Sequence, residues 1–382
     1  MSLIPDGAKE APTSTNEPST EQVGAEHGSA EQAGTELAAP VPLHRAARIE
    51  DAVHNVIERR LRRRGWTVAV TAYTGYGASA TPEKPGWVRV LGRVLLARVD
   101  PKPAKRLKKL RGWRSFTAVS VKDALVRIEA GGRACEMRCG RGGFIDLVIE
   151  ADLAPGWATV TLQSEDSAAV EAPVRIIDPK ARFGVVSDVD DTVMVTTLPR
   201  PLLAAWNTFV LDEHARASVP GMAVLYERLV NANPGAPVFY ISTGAWNVAA
   251  TLTRFLSRHL YPAGPLLLTD WGPQPDRFFR SGQAHKRASL ARLAAEFPQI
   301  RWLLVGDDGQ HDPEIYAEFV AEHPDSVAAV AIRHLSPTQA VLAGAFPSPV
   351  DSSKRVPSDA QRWLRAPDGA GLWRLLRDTE IL

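Results

Sequence analysis

The chain has 382 residues, 45% of them apolar and 23% charged, and its 45 Lys and Arg against 43 Asp and Glu leave a net charge of +2. That balance excludes a fully disordered chain, a collagen and a disulfide scaffold, and it gives no sign of a nucleic-acid binder. The length predicts two or three domains, and the two cysteines, Cys135 and Cys139, can neither frame a disulfide network nor hold a zinc ion by themselves.

Residues 1–40 are acidic, rich in Ala, Glu, Gly, Ser, Thr and Pro, and contain no aromatic residue. Such a segment buries too little apolar surface to offset its ordering entropy and is expected to stay disordered. Its start lacks the basic and apolar regions of a secretory leader, no apolar run approaches the ~20 residues of a membrane helix, and a cytoplasmic location is expected. A helix is predicted over 42–64, where Ile49, Val53, Val56, Ile57 and Leu61 recur at spacings of three and four. Its end carries Arg59, Arg60, Arg62, Arg63 and Arg64 before Gly65. These arginines either compensate the helix dipole on a solvated face or anchor the chain to acidic lipid head groups.

Segments 66–73, 87–99, 116–129, 144–150, 158–163 and 169–177 are short, rich in Val, Ile and Thr, and bounded by Gly, Pro and Asp. They predict an all-β, sandwich-like domain that with the preceding helix spans 41–180. A second basic run, 102–111, lies between two of these segments. No catalytic constellation is visible here, and nothing orients the cysteines for redox work.

From 181 the pattern changes to alternating strands and helices. Strands are predicted at 183–187, 237–241, 301–305 and 327–332, with helices at 222–230, 245–259 and 286–296. This order predicts an α/β, doubly wound parallel sheet over 181–345, in which ligands sit beyond the carboxyl ends of the strands. After 345 a Pro/Ser-rich linker leads to a helix at 371–379, which would dock on that domain.

The predicted strand ends carry chemistry. After the first comes Asp188-Val189-Asp190-Asp191-Thr192. Three carboxylates in four positions repel one another and call for a hard cation such as Mg²⁺, with one acid free to attack phosphorus and another to handle a proton. After the second comes Ser242-Thr243-Gly244, read as opening a helix. It either caps that helix or offers backbone N–H groups to a phosphate oxygen. Lys286 is read at another helix start, where a cation opposes the dipole and needs an anion nearby. After the third strand comes Gly306-Asp307-Asp308-Gly309-Gln310-His311-Asp312-Pro313-Glu314. Two acidic clusters at neighbouring strand ends point to one shared divalent cation.

Taken in order, these parts resemble the haloacid dehalogenase-like hydrolases. The stretches Phe183–Val193, Phe239–Asn247, Leu266–Gly272 and Gly306–Tyr316 more closely resemble the catalytic-domain family of actin-patch-associated phosphatidate phosphatases, over residues 180–340. Two positions depart from that pattern. Asp308 stands where Ser is expected, and Thr269 stands where Arg is expected before Asp270. The resemblance implies that Asp188 forms an aspartyl-phosphate and that Asp190 protonates the leaving oxygen and then activates water. It implies that Mg²⁺ binds Asp188, the Asp190 backbone carbonyl and Asp307, with Asp308 or Asp312 nearby. Ser242 and Lys286 would hold phosphate oxygens, with Thr192, Thr243 and Gly244 lining the phosphate site.

Asp188 lies 54 residues before Ser242, and Ser242 lies 44 before Lys286. Each interval must hold a helix and a strand, which leaves room for only a minimal cap and favours an open site. Trp206, Phe209, Trp246, Trp271, Phe278 and Phe279 flank the motifs and either fill the core or surround the site's mouth. The expected activity is hydrolysis of a phosphomonoester, phosphatidate first, at a membrane surface reached through the basic segments and without a nucleic-acid partner. The competing readings are the same chemistry on a phosphoprotein or a nucleic-acid end, and a non-catalytic lipid- or protein-docking scaffold.

Overall fold

A computed structural model describes residues 45–98, 119–164, 167–195, 217–269, 278–309, 311–336, 339 and 363–379. The expected disordered tail, the basic run at 102–111, the Pro/Ser linker, Trp206, Phe209, Asp270 and Trp271 lie outside the described residues. So does 196–216, part of the interval in which a cap would sit, and so do the side chains of Phe278 and Phe279.

Helix α1 spans Arg45–Arg63 and ends at Gly65, whose positive φ of 78° suits a stop. Strands β1 (Trp66–Ala78), β2 (Trp87–Arg98), β3 (Leu125–Ala130), β4 (Arg133–Arg138), β5 (Phe144–Glu150), β6 (Gly156–Ser164) and β7 (Val170–Ile177) follow. They form one sheet in the order β4-β3-β6-β7-β1-β2-β5. Every pair is antiparallel except β1 and β7, which run parallel from Gly75↔Val174 to Ala78↔Ile177.

The register of β1 on β2 shifts between Tyr73 and Tyr76. Gly75 lies in that bulge and Gly77 just beyond it; a Cβ on Gly75 would lie 2.4 Å from the Arg89 carbonyl oxygen and one on Gly77 2.0 Å from that of Trp87. Two glycines thus let the long strand bend tightly enough to change partners. Val90, Val94, Val126, Ile128, Ile145, Leu162 and Val174 pack into one core on the inside of the bend, and the sheet curls nearly into a barrel.

The second sheet is parallel throughout, in the order β10-β9-β8-β11-β12-β13. Its strands are β8 (Phe183–Asp188), β9 (Val238–Ala245), β10 (Leu266–Thr269), β11 (Arg301–Asp307), β12 (Val327–Arg333) and β13 (Trp363–Ala366). One face packs against α2 (Met222–Ala232), α3 (Ala249–Arg258) and α6 (Gly369–Arg377), through residues such as Leu225, Phe255 and Leu372. The other packs against α4 (Phe278–Glu296) and α5 (Asp312–Glu322) together with Tyr76 and Ile177 of the first sheet.

The expected class, a doubly wound haloacid dehalogenase-like domain with a minimal cap preceded by an all-β sandwich, is therefore overturned. Among the described residues no second antiparallel sheet closes a sandwich over the first. The mixed sheet curls around its own core, and its far end covers part of the parallel sheet, so that Asp51–Leu382 is one compact unit with a shared core. Strand alternation shows that a face is buried but not against what, so a curled sheet and a sandwich read alike. Among the described residues no helix is long and apolar enough to cross a membrane.

Candidate active site

Four neighbouring strands of the parallel sheet end together, and each contributes polar groups. Asp188 is the last residue of β8, Asp307 of β11 and Arg333 of β12, while Ser242 lies within β9. The runs leading to these ends, such as Val185–Val186, Val238–Ile241, Trp302–Val305 and Val327–Ile332, are apolar and buried. The polar residues appear where the ladder stops, which is where an open parallel sheet has a crevice.

Asp188, Asp307 and Asp312 are all buried, and a carboxylate oxygen from each lies within 4.8 Å of the others. Lys286 reaches into this group, its Nζ 2.6 Å from Asp188 Oδ1 and 2.5 Å from Asp312 Oδ1. Burial pushes the Asp188 and Asp307 carboxyls well above the usual range, and neighbouring acids add to the shift. Burial alone would lower the Lys286 ammonium, but Asp188 and Asp312 overcome that and hold it charged.

One ammonium among three carboxylates leaves a surplus of negative charge in a dry place. Asp312 Oδ2 is buried with no hydrogen-bond partner. An all-oxygen donor set with excess negative charge and an orphaned carboxylate oxygen fits a hard divalent cation such as Mg²⁺.

The remaining predicted residues divide. Ser242 donates from Oγ to Asp190 Oδ2 at 3.1 Å and accepts from the Gly244 N–H at 3.0 Å. Thr192 is buried, with its hydroxyl unpartnered. The turn carrying it is tight: Asp191 has φ 55°, and its N–H donates to the Met194 carbonyl at 2.8 Å. Asp308 does not join the cluster. Its Oδ1 accepts from the Leu335 N–H at 2.8 Å and its Oδ2 pairs with His334 Nδ1. Of the two acids left open by the sequence, the structure groups Asp312, not Asp308, with Asp188 and Asp307.

Two local expectations change. Ser242-Thr243-Gly244 does not open a helix, because β9 runs on to Ala245 and α3 begins only after a turn at Trp246–Val248. The Gly244 N–H is engaged by Ser242, and the carbonyls of Thr243 and Gly244 accept from Thr269 Oγ1 at 2.9 and 3.1 Å. Thr269 thus braces this loop. Lys286 does not begin a helix either. It sits in the middle of α4, and its need for an anion comes from burial rather than from the dipole.

Arg333 was missed. It is buried, and it donates to the Asp191 carbonyl at 2.5 Å, the Pro367 carbonyl at 3.3 Å and Gln339 Oε1 at 2.9 Å. It ties the Asp188 turn to the chain's C-terminal segment. A charged residue directly after an apolar strand run was the available signal.

Residues 183–334 match the family model described as the catalytic domain of phosphatidate phosphatase APP1. All the site residues named above lie inside this segment. The chain is 23% identical over 197 residues to the phosphatidate phosphatase APP1 of Saccharomyces cerevisiae, a match covering 50% of this chain and 33% of that protein. It is 26% identical over 173 residues to an uncharacterized protein of Schizosaccharomyces pombe, covering 44% and 28%. The matches thus span a third or less of these relatives' lengths. Among solved structures, a carbohydrate acetylesterase from Xanthomonas citri aligns at a TM-score of 0.27 and 9% identity over 73% of each chain, a likeness too slight to carry an argument.

Proposed function

We propose that the chain is a Mg²⁺-dependent phosphatase that hydrolyses a phosphomonoester, with phosphatidate as substrate and diacylglycerol and phosphate as products. The observation that carries this reading is the buried group of Asp188, Asp307 and Asp312 around Lys286, inside a segment that matches the model of the APP1 catalytic domain.

In this reading Asp188 is the nucleophile. Lys286 holds its Oδ1, which leaves Oδ2 to attack phosphorus. The new bond from Oδ2 to phosphorus forms as the bond to the leaving oxygen breaks, and Asp190 gives that oxygen its proton. Asp190 then takes a proton from the water that attacks phosphorus and releases Asp188. Ser242 aims Asp190 through the 3.1 Å hydrogen bond to Oδ2. Lys286 turns from the carboxylates toward the phosphoryl oxygens as their charge develops. Asp188, Asp307 and Asp312 would hold a divalent cation, which when bound would supply charge neutralisation for the phosphoryl group.

Helix α1 supports a peripheral approach to an anionic lipid surface from the cytoplasmic side. Val56 and Ile57 are exposed beside the exposed Arg59, Arg60, Arg62, Arg63 and Arg64, an arrangement suited to lying in a membrane interface.

A substrate panel tests the reading. Phosphate release is compared for detergent-dispersed phosphatidate, a phosphopeptide and a 5′-phosphorylated oligonucleotide at equal phosphate concentration in Mg²⁺. The reading expects phosphatidate to lead by at least tenfold in kcat/KM. A phosphopeptide or oligonucleotide lead would replace the lipid assignment, and no release from any of the three would favour a docking scaffold.

A further inference from the structure

Arg333 ends β12 and is only 3% exposed. A guanidinium so deep in the protein is costly unless its donors are met. Here each nitrogen has its own acceptor. Nη1 donates to the Asp191 carbonyl at 2.5 Å, Nη2 to Gln339 Oε1 at 2.9 Å and Nε to the Pro367 carbonyl at 3.3 Å. A planar fork can serve three separate acceptors in this way, and the single nitrogen of a lysine cannot span them. Burial lowers the guanidinium from its usual value, while Asp191, Asp307 and Asp308 favour its charge.

One end of the fork grips the turn after β8. Asp191 stands at φ 55°, a left-handed conformation that a residue other than glycine keeps only where its surroundings impose it. The turn closes on itself through the Asp191 N–H to the Met194 carbonyl at 2.8 Å, and through the Val193 and Met194 N–H groups to the Val189 carbonyl at 3.1 and 3.2 Å. The Tyr261 hydroxyl donates to the Val193 carbonyl at 2.9 Å. Arg333 adds a charged donor at the left-handed residue itself, and such bonds are stronger than neutral ones. Asp191 adjoins Asp190, so a change in its backbone passes directly to that acid.

The other end is anchored in the C-terminal segment. The backbone of Arg333 pairs with Ala366 of β13, and the His334 N–H donates to the Ala366 carbonyl at 2.9 Å. Pro367 leads into α6, whose first turn is capped by Asp368 Oδ1 accepting from the Gly371 N–H at 2.7 Å. A Cβ on Gly369 would lie 2.2 Å from the Gly221 carbonyl carbon, so the start of α6 packs against the backbone that leads into α2. This anchor lies beyond residue 334, where the match to the family model ends.

We propose that Arg333 is a positioning residue, holding the Asp191 turn against the C-terminal segment so that Asp188 and Asp190 stay aimed at one phosphoryl group. Its effect on turnover rests on the phosphatase reading. Its grip on the turn does not.

The test compares full-length wild type, Arg333→Met, Arg333→Lys and Leu162→Ala. The last loosens the core of the curled sheet, away from the turn, and controls for lost stability alone. Two quantities are read: hydrogen exchange at the Asp191, Val193 and Met194 amides, and kcat and KM on an aryl phosphate in Mg²⁺. In Arg333→Met these amides should exchange at least about tenfold faster while the amides of β8 and β11 keep their protection. Its kcat should fall about 10- to 100-fold with KM little changed. Arg333→Lys, which keeps the charge but not the fork, should resemble Arg333→Met. Leu162→Ala should melt lower yet keep its kcat within a few-fold. Unchanged exchange in Arg333→Met, full recovery in Arg333→Lys, or an equal loss of kcat in Leu162→Ala overturns the proposal. Absence of turnover by wild type would overturn the phosphatase reading instead, and exchange would still decide whether Arg333 holds the turn.

Discussion

Replacing Lys286 by Met keeps most of the side chain's volume and removes its charge. In the folded protein Lys286 contacts Asp188 at 2.6 Å and Asp312 at 2.5 Å, and Asp307 closes the group within 4.8 Å. Without the ammonium, each pair of ionised carboxylates at that separation repels by about 3.5 kcal/mol at an effective dielectric constant of 20. Removing one member of a buried ion pair typically destabilises by about 3–5 kcal/mol. For a cooperative unit as long as Asp51–Leu382, an unfolding entropy of ~2.1 cal/mol/K per residue converts that loss to a Tm lowered by about 4–7 °C. The assay is thermal unfolding at pH 8 in chelator. The loss should shrink when Mg²⁺ is added, because a cation bound only by the folded state restores stability. A Tm unchanged within about 1 °C in chelator would refute the picture of Lys286 as the charge that holds three buried acids together.

Three further outcomes follow from the same geometry. Gly306→Ala places a Cβ 2.6 Å from Asp312 Oδ2 and 2.8 Å from Tyr316 Cε2. It should cost about 1–3 kcal/mol by overpacking and weaken Mg²⁺ binding, read by denaturation and by calorimetry. Ser242→Ala removes the hydrogen bond to Asp190. With ~1.5–3 kcal/mol for a bond to a charged group, kcat on an aryl phosphate should fall about 10- to 150-fold with KM little changed. The third concerns pH. Burial raises the Asp188 and Asp307 carboxyls above their unfolded values, so the folded state binds protons more tightly than the unfolded one. The stability they cost at high pH is regained as pH falls through the raised values. Metal-stripped protein should therefore melt higher at pH 6 than at pH 8 through these groups, and saturating Mg²⁺ should flatten that slope.

The chemistry was more legible than the architecture. Asp188, Asp190, Asp307 and Asp312 stood out because acids are unusual directly after apolar strand runs, and the sheet brings three of them together. Lys286 was noticed for the wrong physical reason, a helix start that lies mid-helix, because only the tertiary fold shows that its helix begins at Phe278. Arg333 was overlooked although it follows the run Val327–Ile332 in the same way that Asp307 follows its own strand. Asp308 and Asp312 could not be separated by spacing, since the choice depends on whether a side chain faces His334 or Lys286. The short strands Arg133–Arg138, Leu266–Thr269 and Trp363–Ala366 escaped for lack of alternation or length. The curled sheet escaped because burial of one face looks the same whichever layer covers it.

The central claim is that Asp188 attacks phosphorus in a site that requires a divalent cation. The most direct measurement is phosphate release from detergent-dispersed phosphatidate and from an aryl phosphate, in Mg²⁺ and in chelator, by wild type and Asp188→Asn. The account predicts release from both substrates that needs Mg²⁺ and vanishes in the variant. Release that persists in chelator, or that Asp188→Asn leaves within a few-fold of wild type, would contradict it.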